Sequence, residues 1–228
     1  MLPNENRSPD KPLRIYLVGA HATGKTTLAR WVRDQYELPM IAEVARGVLA
    51  EMEAQLQTLR TDMATVNRYQ TEVFARQIAA ERAVEGPFVS DRAFCNLAYA
   101  AHHSTILGEV FADPQLRSYM EWVRDGVVFF LRPHKELITG DGVRAGLQWE
   151  EIIRIDGMVK LLLEMFSVPY IPVESLSMQE RVRLVQRVLS LASLEPKGDP
   201  AGQAPRQPEP RPATNGNGHR QRAENAPG

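Results

Sequence analysis

The sequence is poor in three features that define large classes of protein: cysteine, long apolar runs and net charge. Its 228 residues include a single cysteine, Cys95, which excludes an internal disulfide bond. No apolar run approaches the roughly 20 residues that span a bilayer, and residues 1–12 lack the apolar core of a signal segment. A formal net charge of −1 creates no overall field that would attract nucleic acid or a membrane surface. We therefore expect a cytoplasmic protein with no integral membrane segment and no nucleic-acid partner.

The C-terminal end of the chain lacks the large apolar side chains that a folded core needs. From Glu195 to Gly228 there is no aliphatic residue larger than alanine. Because apolar burial must offset the entropy lost on ordering, we expect residues 195–228 to form a disordered tail, whose arginines could contact an acidic partner. Residues 1–12 are expected to be disordered as well. One domain, residues 13–194, remains between them.

Five short apolar runs alternate with longer helical patterns inside this domain. They are Leu13–Val18, Met40–Glu43, Phe88–Ser90, Val127–Leu131 and Tyr170–Val173. Such alternation predicts an α/β fold, in which a parallel sheet is covered by helices on both faces as a three-layer sandwich. Ligands of these sheets bind at the carboxyl ends of the strands.

The last helix carries its own start signal. The segment "SMQE", Ser177 to Glu180, matches a capping box, in which the Ser177 hydroxyl accepts from the Glu180 amide while the Glu180 carboxylate reaches back. An apolar stripe follows and is predicted to pack against the sheet. Its members are Val182, Val185, Val188 and Leu189.

The first apolar run leads into the segment "GAHATGKTT", where Gly19, Gly24, Lys25 and Thr26 match G-x-x-x-x-G-K-[ST]. Glycine lets the backbone curl around a phosphate chain, and the following helix adds unpaired amides. Lys25 can reach the phosphates, and the Thr26 hydroxyl can bind Mg²⁺. A glycine-rich turn alone explains the glycines but neither Lys25 nor Thr26. We therefore predict a P-loop that binds a nucleotide and Mg²⁺ through Gly19, Ala20, His21, Ala22, Thr23, Gly24, Lys25, Thr26 and Thr27.

Two of the predicted strand ends carry carboxylates. Glu43 ends the second run, where a kinase can place the group that accepts the proton of an acceptor hydroxyl. The alternative is a first-turn glutamate that interacts with the helix dipole. Asp91 follows the third run and is predicted to hold Mg²⁺ together with Thr26, a helix N-cap being the alternative. Both carboxylates are candidate catalytic residues.

Three arginines follow the fourth run. Glycines between Arg132 and a predicted helix at Trp149–Phe166 indicate a mobile lid segment that contains Arg144. A lid arginine can close over the phosphates and stabilise charge formed late in transfer. We predict such catalytic roles for Arg144 and Arg154. Surface ion pairs are the alternative for Arg132 and Arg154.

Several segments together resemble one known family. They are "GAHATGKTTL", "EVAR", "DR" followed by "AY" within Asp91–Tyr99, "DGVR" at Asp141–Arg144 and "VPYIPVES" before the last helix. These features are similar to the P-loop AAA family that includes the nicotinamide riboside kinase domain of bacterial NAD-biosynthesis regulators. The resemblance covers Leu13 to about Leu194. It implies strand order 2-3-1-4-5, binding of ATP and Mg²⁺, and phosphorylation of a nucleoside-like hydroxyl. The same family is also similar to GTP- and phosphoinositide-binding trafficking proteins.

The acceptor stays open at this point. The family often has a second acid where this chain has Asn96, and the riboside kinases tend to have a "DTD"-like strand end where this chain has "SDR". A nucleoside, a small phosphorylated metabolite and water are all candidate acceptors. The leading hypothesis is a Mg²⁺-dependent small-molecule kinase. The alternative is a regulatory ATP or GTP switch, or an ATPase that acts through a protein or lipid partner. No N-K-x-D segment that would read guanine occurs, which favours ATP over GTP.

Overall fold

The described chain alternates strands and helices in the predicted manner. The computed structural model describes residues 11–42, 63–101, 107–137 and 148–197. The strands are β1 (Arg14–Val18), β2 (Met40–Ile41), β3 (Phe88–Asp91), β4 (Val127–Leu131) and β5 (Ile171–Val173). The helices are α1 (Lys25–Tyr36), α2 (Met63–Arg82), α3 (Cys95–Ala101), α4 (Leu107–Ala112), α5 (Pro114–Arg124), α6 (Trp149–Met165) and α7 (Met178–Leu191), with a 3₁₀ turn at Lys135–Leu137.

The five strands form one sheet in the order β2-β3-β1-β4-β5, and every pair is parallel. β1 lies at the centre, where Leu17 pairs with Asp91 of β3 on one side and with Phe129 of β4 on the other. The carboxyl ends of the strands therefore meet along one edge. The predicted fold class and strand order are confirmed.

Helices cover both faces of this sheet. Since neighbouring residues of a strand point to opposite faces, β1 contributes to two separate cores. Ile15 and Leu17 belong to a core with residues of α1 and α7, whereas Tyr16 and Val18 belong to one with residues of α2, α3, α5 and α6. The fully buried sequence of β1 and β4 follows from this arrangement, because no face of the central strands meets water.

The capping box of α7 forms with one modification. The Ser177 hydroxyl accepts from the Glu180 amide at 3.4 Å, as predicted. The Glu180 carboxylate does not return directly to the Ser177 amide. It accepts from the Ser175 hydroxyl, and the Ser175 oxygen accepts from the Ser177 amide at 3.0 Å. Ser175, two residues before the N-cap Ser177, thus relays the second half of the motif.

A buried polar network holds the end of β3 in place. The Glu81 carboxylate of α2 is fully buried and accepts from Ser90 at 2.7 Å, Gln77 at 2.9 Å and the Tyr119 hydroxyl at 2.9 Å. Burial raises the pKa of Glu81, although its hydrogen bonds act in the opposite direction. Because Ser90 directly precedes Asp91, this network anchors the strand end that carries the acid.

The chain after α7 stays close to the domain as far as it is described. The Lys197 amide donates to the Gln35 carbonyl of α1 at 3.0 Å, so the first residues of the predicted tail lie against α1. The rest of the predicted tail and most of the predicted N-terminal segment lie outside the described residues. Among the described helices, none is both long enough and apolar enough to cross a bilayer.

Candidate functional site

The loop between β1 and α1 has the backbone shape that a P-loop requires. Gly19 has φ 145°, Ala22 has φ 56° and Gly24 has φ 86°. A Cβ atom at Gly19 would lie 2.3 Å from the Leu131 carbonyl oxygen, at the end of β4. The left-handed backbone and this close approach together demand glycine at position 19. The loop Gly19–Thr27 therefore begins with a backbone conformation that requires glycine, directly against the end of β4.

The Lys25 ammonium lies inside this loop. Its side chain is 5% exposed and its Nζ donates to the Ala20 carbonyl and, at 3.2 Å, to the Thr23 hydroxyl. The buried Thr23 hydroxyl in turn donates to Ala20 at 3.1 Å. A buried cation encircled by loop backbone is what an anionic phosphate chain needs as a partner.

Thr26 and Asp91 meet at the base of the loop. The Thr26 hydroxyl donates to Oδ2 of Asp91 at 2.6 Å, and the Asp91 side chain is fully buried. Its other oxygen, Oδ1, has no hydrogen-bond partner among the described residues. Asp91 is the last residue of β3, and α3 begins only at Cys95, so the N-cap alternative does not fit.

This donor set fits Mg²⁺ bound together with a nucleotide. A buried carboxylate oxygen without a partner and a hydroxyl beside it are ligands of the type that Mg²⁺ prefers. No cluster of three or more His, Cys, Asp or Glu side chains that could hold a metal occurs in the described ranges. Mg²⁺ takes few protein ligands and completes its shell with phosphate oxygens and water.

A strained turn follows Asp91. Arg92 has φ 99° and Ala93 has φ 50°, conformations that cost non-glycine residues about 1–3 kcal/mol each. The turn leads to Cys95, whose Sγ accepts from the Gly19 amide at 3.3 Å. Burial raises the pKa of the Cys95 thiol, against the smaller opposing effect of Lys25. The thiol is therefore a packing group beneath the start of the P-loop.

A partly buried ion pair lies at the same edge of the sheet, and its acid, Asp156, was not predicted from the sequence. Arg132, which follows β4, contacts Asp156 of α6 with 2.9 Å between Nη2 and Oδ2. Burial raises the pKa of Asp156 to about 6, against the opposing charges of Arg132, Lys25 and Lys160. Arg132 therefore forms an ion pair, as one alternative predicted, but its partner Asp156 is only 3% exposed while Arg132 itself is 34% exposed. A signal existed: Asp156 interrupts the apolar stripe of Ile152, Ile155 and Val159.

α6 itself packs on the P-loop. Trp149, Ile152 and Ile155 form a small apolar cluster with Ala20. The helix that follows the predicted lid segment therefore begins directly against the phosphate-binding loop.

A second missed residue, Arg181 of α7, contacts the P-loop from the other side. It is 1% exposed, and its Nη1 donates to the Thr23 carbonyl at 2.6 Å. It too interrupts an apolar stripe, that of Met178, Val182 and Val185.

The remaining predicted residues are not brought to the loop by the described contacts. Glu43 and Arg144 lie outside the described residues. Arg154 is exposed on α6, and no contact among the described residues joins it to the P-loop. The catalytic roles of these three residues stay predictions.

The strand order and the loop between β1 and α1 define a P-loop α/β protein. A family model described as an AAA domain matches residues 14–181, well over half of the chain. The chain therefore belongs to the AAA-domain family, and the resemblance predicted from the sequence is confirmed.

Several solved structures share this fold. Deoxyadenosine kinase from M. mycoides with bound dATP has a TM-score of 0.56 at 14% identity, covering 78% of this chain and 99% of that one. The same kinase with products dCMP and a flexible dCDP gives 0.57 at 13% identity, covering 79% and 100%. The NadR protein in complex with NR gives 0.54 at 18% identity, covering 80% of this chain and 51% of that one. At identities this low, the structural similarity shows a shared fold and no more. No curated protein sequence matches the chain.

Proposed function

We propose that this protein is a Mg²⁺-dependent phosphotransferase that moves the γ-phosphoryl group of ATP to a hydroxyl of a small nucleoside- or metabolite-type acceptor. The observation that carries the proposal is the pairing of Thr26 with a buried Asp91 whose Oδ1 lacks a partner among the described residues, directly beneath a P-loop. The fold shared with deoxyadenosine kinase and with NadR supports nucleosides as the first acceptors to try. GTP is the alternative donor.

The P-loop would bind and orient the phosphate chain. Backbone amides at the start of α1 and the Lys25 ammonium would contact phosphate oxygens, where the buried setting strengthens each charge-assisted hydrogen bond. Thr26 and Asp91 would hold Mg²⁺, which supplies charge neutralisation across the phosphates when bound. Ala20 and the α6 cluster around Trp149 would keep water away from one side of the loop.

Glu43 would accept the acceptor proton. β2 ends at Ile41, which pairs with Ser90, the residue before Asp91, and Glu43 follows Ile41 by two positions in the sequence. In the proposed step the acceptor hydroxyl loses its proton to the Glu43 carboxylate, and its oxygen bonds to the γ-phosphorus. The bond to the bridging oxygen breaks and ADP leaves.

Arg144 and Arg154 would stabilise charge on the transferring group. Arg144 lies four residues before Gln148, which adjoins the Trp149 contact with the P-loop. This closeness in sequence to a helix that packs on the P-loop supports the choice of Arg144 as the lid arginine. Arg154 would act only if its exposed side chain reaches the phosphates from α6.

Acceptor-dependent release of ADP tests this proposal. Mg²⁺-ATP is incubated with a panel of nucleosides, deoxynucleosides and hydroxyl-bearing metabolites. We expect one class to raise ADP release above the rate with water alone, and Glu43→Gln to lower that rate by about 10²- to 10⁴-fold with ATP affinity intact. Turnover that ignores every acceptor but rises with a protein or lipid would instead support the nucleotide switch or ATPase.

A further inference from the structure

Arg181 is an unusual core residue because it is a cation and the largest of the fully buried side chains in the described chain. Arginine is almost never fully buried unless it is paired. Its partners among the described residues are two backbone carbonyls, and burial lowers the pKa of its guanidinium. Because desolvation of the guanidinium is unfavourable, we expect Arg181 to have a role that an apolar residue could not fill.

The two carbonyls belong to separate parts of the fold. Nε donates to Ser175, in the connection from β5 to α7, while Nη1 donates to Thr23 in the P-loop at 2.6 Å. Thr23 and Arg181 are 158 positions apart in the sequence. The guanidinium is therefore a rigid brace between the last crossover and the phosphate-binding loop, since its planar fork fixes both donor directions.

The contact with Thr23 controls a second group in the same peptide. A trans peptide is planar, so the Thr23 carbonyl and the Gly24 amide point in opposite directions. With the carbonyl held toward α7, the Gly24 amide must point away from α7. Gly24 has φ 86° and is the N-cap of α1, a position at which glycine has little intrinsic preference for one peptide orientation. The conformational preference of Gly24 therefore does not by itself set the direction of this amide.

Gly24 and Arg181 also fit each other in space. A Cβ atom at position 24 would lie 3.0 Å from Nη1 of Arg181. The absence of that atom lets the guanidinium approach the peptide closely enough for the short hydrogen bond.

We propose that Arg181 is a positioning residue that holds the Thr23–Gly24 peptide so that the Gly24 amide faces the bound phosphate chain. This rests on the proposed function only in that the P-loop binds a nucleotide; it does not depend on which acceptor is used. Lysine cannot replace this arginine fully, because a single ammonium cannot brace both carbonyls with fixed geometry.

Three variants test the assignment. Arg181→Met removes the donors and keeps an apolar stem, and Arg181→Lys keeps the charge. Arg183→Met is the matched control, since Arg183 is exposed on the same helix. The Gly24 backbone amide is followed by ¹H–¹⁵N NMR without ligand and with Mg²⁺-ADP, and dissociation constants for Mg²⁺-ATP are measured by calorimetry.

We expect the ligand-free Gly24 signal of Arg181→Met to shift or broaden as the peptide is released, and its response to Mg²⁺-ADP to be lost. Mg²⁺-ATP affinity should fall about tenfold, the loss expected for one charge-assisted contact of about 1.4 kcal/mol. Arg181→Lys should be intermediate and Arg183→Met should match the natural protein.

A Gly24 signal and an ATP affinity that stay unchanged in Arg181→Met and Arg181→Lys, with only a lower melting temperature, would overturn the proposal. If Arg181→Met does not fold, Arg181→Lys decides by the same readouts. Absence of acceptor-dependent turnover in the natural protein would defeat the proposed function but leave the ligand-free Gly24 measurement fully informative.

Discussion

The hydrogen bond between Thr26 and Asp91 joins the two side chains on which Mg²⁺ binding would depend. One carboxylate oxygen is used by the hydroxyl at 2.6 Å, and the other is buried without a partner among the described residues. A buried oxygen in that condition carries a desolvation cost of about 1–3 kcal/mol or more unless a ligand compensates for it. A cation beside it would remove the cost.

Asp91→Asn should separate metal binding from nucleotide binding. The amide keeps the shape of the side chain but removes its negative charge, so we expect Mg²⁺-ATP affinity to fall by at least about tenfold. Affinity for ATP in EDTA should not fall, because the carboxylate repels phosphate when no metal is present. Calorimetric titrations in both conditions measure this, with Asp34→Asn on the exposed part of α1 as control. An equal loss with and without Mg²⁺ would contradict the metal role.

Asp156 makes stability depend on pH in a definite direction. Its pKa is raised from 3.8 to about 6, so between these values the folded chain binds a proton that the unfolded chain has released. The free energy of unfolding should therefore fall as pH rises through this window, and Asp156→Asn should remove that contribution. From about pH 5 to about pH 7.5, urea denaturation should show the natural protein losing on the order of 1 kcal/mol relative to the variant. If the natural protein instead became more stable than the variant as pH rises, the charge of Arg132 would have a larger effect on the pKa of Asp156 than burial has.

Residues recognised from the sequence differ from those missed in one respect. Lys25 and Thr26 belong to a pattern of eight consecutive residues, so the sequence alone indicates which groups lie beside them in the folded loop. The roles of Asp156 and Arg181 depend on contacts with groups that are distant in the sequence. Asp156 contacts Arg132, and Arg181 contacts the Thr23 carbonyl. Each interrupts an apolar helical stripe, which is a visible sign of a buried charge but does not name its partner.

At the scale of elements, the site depends on how closely β4 approaches the P-loop. The Leu131 carbonyl would lie 2.3 Å from a Cβ atom at Gly19, whereas no atom lies within 4 Å of one at Gly157 in α6. The two glycines therefore predict opposite responses to the same substitution.

Gly19→Ala should destabilise the protein by at least about 2 kcal/mol, because it forces backbone to move against β4 at a left-handed φ. Gly157→Ala should stabilise it by about 0.5–1 kcal/mol, as expected for alanine in a helix interior. Urea denaturation of both variants measures the difference. Equal stability of the two would show that the loop is free to relax away from β4.

The boundaries of helices and strands could be predicted from the sequence where a local sequence signal lies at the boundary. β4 and the start of α6 match their predicted positions, since a turn or a composition change flanks each. The Ser175 relay at α7 was missed because the capping pattern covers only Ser177 to Glu180, and a residue outside the pattern took part.

At the scale of the whole molecule, two buried faces and parallel pairing follow from the alternation of apolar runs and helices. The order of strands does not follow from periodicity, and here it came from the family resemblance. The domain boundaries of 13–194 stay predictions, and the Lys197 contact with Gln35 places the first tail residues against α1.

Deleting residues 198–228, the part of the predicted tail 195–228 that lies outside the described residues, tests the predicted tail. The segment has no apolar side chain able to add to a core, so melting temperature and ATP affinity should be nearly unchanged. Differential scanning calorimetry and titration measure both. A fall in melting temperature of more than a few degrees would place part of this segment in the folded domain.

Transfer of the γ-phosphoryl group itself tests the central claim most directly. ATP labelled in the γ-phosphate is incubated with Mg²⁺ and the acceptor that most increases ADP release, and label is counted in the isolated acceptor. We predict label in the acceptor in proportion to ADP formed, and its loss in Lys25→Ala, because the described P-loop holds no other side-chain cation at that position. Label found only in inorganic phosphate, or transfer that persists in Lys25→Ala, would contradict the account.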